Sequence, residues 1–243
     1  SRSDVNILAV VNTNTHNMLL VSTPRDYYVP LPHAKGVKDK LTHAGIYGID
    51  CSIQTLEDLY GIDINYYMRL NFTGFMNVVD ALGGGEVYSS QNFDKEGYDF
   101  HEGMNTVNGE AALSFVRERY SFKDGDFQRQ RNQMEMIRAI IKKIASPAIL
   151  TTYPSLLDSI ATSFNTDMSR DEIGNLVKMQ LEEGGDWSIS SYGVMGEGTS
   201  STTYSMGNRQ LYVCLMDDNS IGTAKEGIRK VQSGELLEDS KVE

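Results

Sequence analysis

Four arginines lie within fifteen residues of an otherwise acidic chain. They are Arg117, Arg119, Arg129 and Arg131. The 243-residue chain has a formal net charge of −11 at pH 7. A guanidinium stays protonated at any working pH, and its planar fork of donors matches the oxygens of a phosphate. With Asp124 and Asp126 between them, these arginines indicate a site for a multiply charged anion such as a pyrophosphate. The alternative interpretation is a solvated, charged helix face.

A second set of charged residues lies far upstream and favours the anion site over the charged helix face. These residues are Arg2, Asp4, Arg25 and Asp26. Arg25 and Asp26 follow Pro24, which has no N–H to donate and therefore ends the strand before it. Ligands of α/β proteins usually bind at strand ends, so we expect both side chains to lie beside a binding site.

The composition argues against several other functions. A pI near 4.8 disfavours nonspecific binding to duplex nucleic acid, which requires net neutralisation of phosphates. It does not exclude a local basic pocket, because nearby charges set the field there. The longest apolar runs have the length of strands, not of membrane spans. The chain begins without methionine or a signal peptide, so we expect a fragment of a longer product.

Alternating strands and helices predict the architecture that positions these residues. Hydrophobic runs indicate adjacent strands over residues 4–11 and 17–22. The Gly/Ser/Thr segment 196–201 is typical of a loop. We expect a single domain over residues 1–233, an α/β fold arranged as a three-layer α/β/α sandwich with a central mixed sheet. A polar tail over residues 234–243 should fray.

Two predicted helices carry the clustered arginines. Asn108 is a suitable N-cap for a helix that continues to about Arg119, and a second helix covers residues 126–145. Gln133 lies one helical turn beyond Arg129 and shares its face. Arg131 falls near the opposite face, so we interpret it as a surface residue.

Seven segments, in their order along residues 2–144, resemble the LytR-CpsA-Psr family. They are Asn-Ile-Leu-Ala-Val, Ser-Thr-Pro-Arg-Asp, Lys-Leu-Thr-His-Ala, Asn-Phe-Thr-Gly-Phe, Val-Asp-Ala-Leu-Gly-Gly, Leu-Ser-Phe-Val-Arg-Glu-Arg and Gly-Asp-Phe-Gln-Arg-Gln-Arg-Asn-Gln. Any one of them would be a weak signal, but seven in sequence that end in the arginine cluster are specific.

The resemblance implies an extracytoplasmic phosphotransferase of bacterial cell-wall assembly. Such an enzyme moves an anionic glycopolymer from an undecaprenyl-pyrophosphate carrier to peptidoglycan, and one N-terminal membrane helix usually anchors it. The implied fold is an α/β/α sandwich whose apolar pocket holds the prenyl chain, with the pyrophosphate and Mg²⁺ at its mouth. Hydrolysis of the carrier pyrophosphate would be a side reaction in which water replaces the acceptor.

The resemblance also assigns roles to individual residues. The implied pyrophosphate-binding set is Arg2, Arg25, Arg117, Arg119, Arg129 and Gln133. Asp4 corresponds to a magnesium-binding carboxylate, because Mg²⁺ takes few carboxylates together with phosphate oxygens. Asp126 would either orient the arginines or assist the acceptor hydroxyl, and with Arg25 and Arg117 it forms the implied catalytic set.

Two departures from the family pattern affect these assignments. The family usually has a second metal-binding aspartate about twelve residues before the position of Asp4. The given sequence begins after that position, which puts the metal affinity of this chain in question. It also commonly has arginine directly before the glutamine at Gln133, where this chain has Asn132.

Other interpretations stay open at this point. A noncatalytic module that binds lipid-linked or anionic glycans would use the same phosphate contacts without a metal. A transcriptional regulator is disfavoured by the acidic pI and by the lack of a helix-turn-helix pattern. Cys51 and Cys214 are compatible with one disulfide in an extracytoplasmic protein or with two buried thiols.

Overall fold

The computed structural model describes residues 2–237. The chain divides into two compact units. The single domain expected over residues 1–233 stays a prediction. Unit 1 comprises Ser1–Ile64 and Ser188–Glu243, and unit 2 comprises Asn65–Trp187. Of the tail that was expected to fray, residues 234–237 are described and 238–243 lie outside the described residues. Within the described part, the Glu235 side chain binds Arg229 at 3.0 Å.

The described residues form thirteen strands and nine α-helices. The strands are β1 Asn6–Asn12, β2 Asn17–Thr23, β3 Tyr28–Pro30, β4 Lys38–Lys40, β5 Met68–Leu70, β6 Gly85–Ser89, β7 Phe93–Lys95, β8 Tyr98–Phe100, β9 Gly103–Val107, β10 Phe164–Thr166, β11 Ser188–Gly193, β12 Gly196–Thr203 and β13 Gly207–Met216. The helices are α1 Leu41–Ala44, α2 Ile49–Tyr60, α3 Phe72–Ala81, α4 Gly109–Arg117, α5 Gly125–Ile144, α6 Pro147–Leu150, α7 Tyr153–Ile160, α8 Arg170–Glu183 and α9 Asp218–Gln232. None of these helices is both long and apolar enough to cross a membrane.

Unit 1 is built on a mixed sheet in the order β1-β2-β11. The hairpin partners β1 and β2 are antiparallel, and β11 adds to the other edge of β2 in parallel. Every residue of β2 is buried, and its apolar run over residues 18–21 is typical of a central strand. Ile221 and Ile228, on the apolar face of α9, lie in the same core as Leu19 and Val21 of β2. The predicted α/β class and the mixed central sheet are therefore confirmed.

The loop predicted at residues 196–201 is instead strand β12. It pairs with β13 in an antiparallel ladder from Gly196↔Met216 to Thr203↔Gly207. The Gly/Ser/Thr composition has weak strand propensity, but its small side chains leave room for the partner strand. A Cβ atom on Gly198 would lie 2.8 Å from the ring of Tyr212. Packing across the ladder thus overrides the local propensity.

Unit 2 surrounds a second core in which four phenylalanines meet. Their rings are those of Phe93, Phe100, Phe115 and Phe122, with centroids 4.7–5.9 Å apart in the contacting pairs. The core also receives Val79 from α3 and Met136 from α5. Helix α4 ends at Arg117, two residues before the predicted end at 119, whereas α5 matches its predicted range to within one residue at each end.

Candidate functional site

Unit 1 gathers four charged side chains beyond the end of β2, which we call the Arg25 cluster: Asp4, Arg25, Asp26 and Lys40. A terminal guanidinium nitrogen of Arg25 lies 2.6 Å from Asp4 Oδ1, and Arg25 Nε lies 3.5 Å from Asp26 Oδ2. The second oxygen of Asp26 is 2.9 Å from Lys40 Nζ. Asp4 and Arg25 are the exposed half of this chain of ion pairs, so a phosphate could reach them.

The Lys-Leu-Thr-His-Ala segment fixes the backbone that carries Arg25. The amide of Thr42 donates to the carbonyl of Arg25 at 2.8 Å, and the amide of Leu41 donates to the carbonyl of Tyr27 at 2.9 Å. These two bonds hold residues 25–27 in place immediately after Pro24. Lys40, in the same segment, donates to Asp26 Oδ1 at 2.9 Å.

His43, from the same segment, contributes to structure and not to a catalytic triad. Its Nδ1 atom lies 2.6 Å from Asp39 Oδ1 and 2.8 Å from Ser205 Oγ. A Ser-His-Asp triad requires the imidazole to bridge the other two groups through different nitrogens, whereas here both meet the same one. Burial raises the pKa of the Asp39 carboxyl, but hydrogen bonds from His43 and Ser205 outweigh it and bring the pKa below its usual range.

Unit 2 gathers the second set, which we call the Arg119 cluster: Arg117, Arg119, Asp126 and Arg129. Asp126 Oδ1 lies 3.0 Å from Arg129 and 3.5 Å from Arg119. Arg119 also donates to the hydroxyl of Tyr120 at 2.6 Å and covers its ring at 4.6 Å from the centroid. Arg117 covers the ring of Phe72 at 5.1 Å. Asp126 is thus placed to orient two guanidinium groups, one of the two roles expected for it.

Amide side chains of α5 attach this helix to the end of α4. Asn132 Nδ2 donates to the carbonyl of Phe115 at 3.2 Å, and Gln133 Nε2 donates to the carbonyl of Val116 at 3.3 Å. The last carbonyls of a helix lack partners within the helix, so these amides satisfy groups that would otherwise be unpaired. Asn132 therefore has a structural contact of its own, and the pyrophosphate role of Gln133 stays a prediction.

Arg131 is not simply a solvated surface residue. Its Nε donates to Gln128 Oε1 at 2.9 Å, and it also forms an ion pair with Asp124. Asp124 thus pairs with Arg131, whereas Arg119 pairs with Asp126. Arg131 thus stabilises the first turns of α5 without joining the Arg119 cluster.

The predicted site residues are therefore divided between the two units. Unit 1 contains Asp4 and Arg25 as neighbours, and Arg2 is exposed there. Unit 2 contains Arg117, Arg119, Asp126, Arg129 and Gln133. Their supporting contacts, such as the ring of Phe72 beneath Arg117, were not foreseen. No spacing in the sequence indicates them, because they come from distant elements.

The Mg²⁺ that the resemblance implies can be tested against the donor atoms present. Magnesium in phosphate-handling sites is held by one or two carboxylates together with substrate oxygens and water. The exposed carboxylate of Asp4 fits that description. Within residues 2–237, no group of three or more His, Cys, Asp and Glu side chains could hold a metal. Asp4 would therefore hold Mg²⁺ only together with phosphate oxygens.

Cys51 and Cys214 are both buried in the core of unit 1, and no disulfide joins them. Of the two possibilities that the sequence left open, the structure contains the two buried thiols.

Comparison with known proteins gives the family. The sequence model of the LytR_cpsA_psr family matches residues 1–219. The polyisoprenyl-teichoic acid–peptidoglycan teichoic acid transferase TagU of Bacillus cereus is 38% identical over 178 residues, which cover 73% of this chain and 58% of that protein. The chain thus spans less than two thirds of this relative's length.

Solved structures show the same fold. Bacillus subtilis TagV superposes with a TM-score of 0.80 at 24% identity, over 96% of this chain and 90% of that one. The structure of TagT bound to LI-WTA superposes with a TM-score of 0.74 at 26% identity, over 96% of this chain and 86% of that one. The seven segments, the fold and the family match agree, and the chain belongs to the LytR_cpsA_psr family.

Proposed function

We propose that this chain transfers an anionic glycopolymer, such as a teichoic acid or a capsular polymer, from undecaprenyl pyrophosphate to peptidoglycan on the outer face of the bacterial cell membrane. The observation that carries the proposal is the pair of half-exposed arginine clusters, in which carboxylates hold the guanidinium groups in fixed positions. The TagU relative, named a teichoic acid transferase, supports the substrate class.

In the proposed reaction a hydroxyl oxygen of the acceptor attacks the phosphorus that bears the glycopolymer. A new P–O bond forms, and the bond from this phosphorus to the bridging oxygen of the pyrophosphate breaks. Undecaprenyl phosphate leaves with that bond's electron pair, and the acceptor's proton passes to a base or to solvent. Charge spreads over the phosphoryl oxygens in such a transfer, so positioned cations accelerate it.

The arginines would bind the phosphates through bidentate N–H···O contacts, which lysine cannot reproduce. Asp126 would keep Arg119 and Arg129 aligned, and it could also receive the acceptor's proton. When bound, Mg²⁺ would neutralise charge on the phosphates, with Asp4 as its carboxylate ligand. The Asp4–Arg25 ion pair would then place a cation-binding oxygen beside a phosphate-binding donor.

The test is incubation with a synthetic polyprenyl-pyrophosphate glycan and a peptidoglycan oligomer, with Mg²⁺ or with EDTA. A phosphodiester product that requires Mg²⁺ is expected. Arg25→Ala and Arg117→Ala should abolish it without unfolding the protein. Arg170→Ala is the matched control, because Arg170 pairs with Asp158 on an exposed surface. Wild-type rates in both cluster variants would contradict the proposal.

A noncatalytic glycan-binding module is the competing function, and the same assay separates it. Tight binding of the lipid-linked glycan without product, in the presence or absence of Mg²⁺, would favour the module. The assay should be repeated with an N-terminally extended chain, because the family usually has a further metal-binding aspartate before the position of Asp4.

A further inference from the structure

The residue between Arg117 and Arg119 points in the opposite direction from both of them. The Glu118 side chain is 3% exposed, whereas the side chains of Arg117 and Arg119 are 46% and 35% exposed. Glu118 has extended backbone angles, with φ −67° and ψ 135°, directly after α4 ends. Successive side chains of an extended segment point to opposite sides. An inward Glu118 therefore directs the arginines on either side of it outward.

Two contacts hold the buried Glu118 carboxylate. Lys95 Nζ lies 3.1 Å from Glu118 Oε2, and the amide of Ser121 donates to Glu118 Oε1 at 2.7 Å. Burial alone raises the pKa of this carboxyl, but the bonds from Ser121 and Lys95 outweigh it and bring the pKa below its usual range. The group is therefore a paired carboxylate in the folded protein.

Lys95 belongs to the β7–β8 hairpin, which also contacts α4 through its turn. Glu96, a turn residue with φ +54°, accepts a hydrogen bond from Ser114 Oγ at 2.9 Å. The other Glu96 oxygen lies 4.0 Å from Arg117. The hairpin thus contacts two residues in the last turn of α4 and Glu118 directly after it, and one of these three residues is Arg117 of the Arg119 cluster.

We propose that the Lys95–Glu118 ion pair is a positioning device that anchors residues 117–119 so that Arg117 and Arg119 point outward together. The inference rests on the proposed function, because it gives these two arginines the task of binding phosphate. Lys95 and Glu118 act through the arginines and do not themselves contact the substrate.

The first test needs no ligand. NMR order parameters of the Arg117 and Arg119 Nε–Hε groups are measured in wild type, Lys95→Met and Glu118→Gln. Both variants should lower the order parameters, and Lys95→Arg should restore them. Lys178→Met is the matched control, because Lys178 pairs with Glu182 on an exposed helix face. Order parameters unchanged from wild type in folded Lys95→Met and Glu118→Gln would overturn the proposal.

The second test uses inorganic pyrophosphate as the probe, with affinity measured by calorimetry. Lys95→Met should weaken pyrophosphate binding about tenfold. This is the lower end of the loss of affinity seen at metal sites when a residue that supports a ligand is mutated. In an Arg117→Ala/Arg119→Ala background, the same substitution should have no further effect. An equal loss in both backgrounds would mean that Lys95 acts on the fold in general, and the proposal would fail.

If the proposed function is wrong, the pyrophosphate measurements differ from those expected when only the positioning role fails. If Arg117→Ala/Arg119→Ala binds pyrophosphate as wild type does, the arginines are not the phosphate site. The NMR measurement still decides whether Lys95 and Glu118 position them. Should Lys95→Met not fold, the double variant Lys95→Met/Glu118→Gln removes the unpaired buried charge, since a neutral amide oxygen can still accept from Ser121.

Discussion

Gly125, the first residue of α5, lies against the backbone of Arg119. A Cβ atom built on Gly125 would be 2.5 Å from the Arg119 carbonyl oxygen and 3.4 Å from its carbonyl carbon. Both neighbours are backbone atoms, which cannot rotate away as the end of a flexible side chain can. Gly125→Ala should therefore push the start of α5 away from Arg119.

The size of the effect follows from the geometry. Close carbon–oxygen contacts lie at about 3.3–3.6 Å, so the alanine must open this contact by about 1 Å. Overpacking of this kind costs about 1–3 kcal/mol, and the general advantage of alanine over glycine returns only about 0.4–1 kcal/mol. We expect a net loss of about 1–2 kcal/mol, equivalent to a melting temperature roughly 2–8 °C lower.

The transfer rate should fall even where the protein remains folded. Arg119 pairs with Asp126, the residue that directly follows Gly125, so a shift of α5 moves one member of the pair relative to the other. Misplacement of a catalytic group by 1 Å can cost about 100-fold in rate. Glycopolymer transfer by Gly125→Ala should therefore fall at least tenfold under conditions in which the protein remains folded, on the order of 1.4 kcal/mol in barrier height.

The assay is thermal and urea unfolding together with the transfer reaction, and Gly222→Ala is the control. Gly222 lies in α9, and a Cβ atom there would have no neighbour within 4 Å. Alanine should therefore stabilise at position 222, by about 0.4–1 kcal/mol. Alanine should thus destabilise the protein at position 125 and stabilise it at position 222, which separates the contact with Arg119 from the general effect of removing a glycine. A Gly125→Ala protein as stable and as active as wild type would refute the reasoning.

Three further outcomes are expected. First, the lowered pKa of Asp39 means that its contribution to the free energy of unfolding is present above about pH 4 and is lost as the pH falls through the folded-state pKa. Asp39→Asn should therefore flatten the pH dependence of urea unfolding below about pH 4. An unchanged slope would show that Asp39 is not responsible. Second, denatured, unreduced protein should contain two thiols that react with a thiol reagent, Cys51 and Cys214, and a count of zero would establish the disulfide. Third, Asp126→Asn should weaken pyrophosphate binding less than Arg119→Ala does if Asp126 only orients arginines. If Asp126 also accepts the acceptor's proton, the transfer rate of Asp126→Asn should fall far more than its affinity for pyrophosphate.

The parts of the fold that were predicted correctly are those in which one local signal dominates. Strand β2 contains the apolar run of residues 18–21 and is buried along its whole length. Helix α5 has apolar residues at helical spacing and a proline shortly after its end. Strand β12 was missed because its composition is that of a loop, and only its partner β13 makes it a strand.

For the candidate site, the sequence indicated which residues could bind phosphate, and it did not indicate the contacts that support them. Residue type and resemblance assigned phosphate binding to Arg25, Arg117 and Arg119 without any knowledge of the fold, and that role stays a prediction. The pairing of Lys95 with Glu118 joins a hairpin to a helix end, and no periodic pattern connects the two positions. Glu118 itself could have been found only by the alternation of an extended segment, which the prediction of a helix through Arg119 concealed.

The structure also separates two kinds of ion pair that look the same in the sequence. Asp4 and Asp126 are half exposed and face arginines, and exposed pairs of this kind contribute only about 0–1 kcal/mol. A guanidinium has five N–H donors, so a phosphate can bind the remaining donors of these arginines while the carboxylates stay in place. Asp39 and Glu118 are buried and hold backbone amides, and removal of a buried partner is far more costly. The exposed carboxylates would therefore orient the arginines toward a phosphate, while the buried pairs keep the backbone around Arg25 and Arg119 in place.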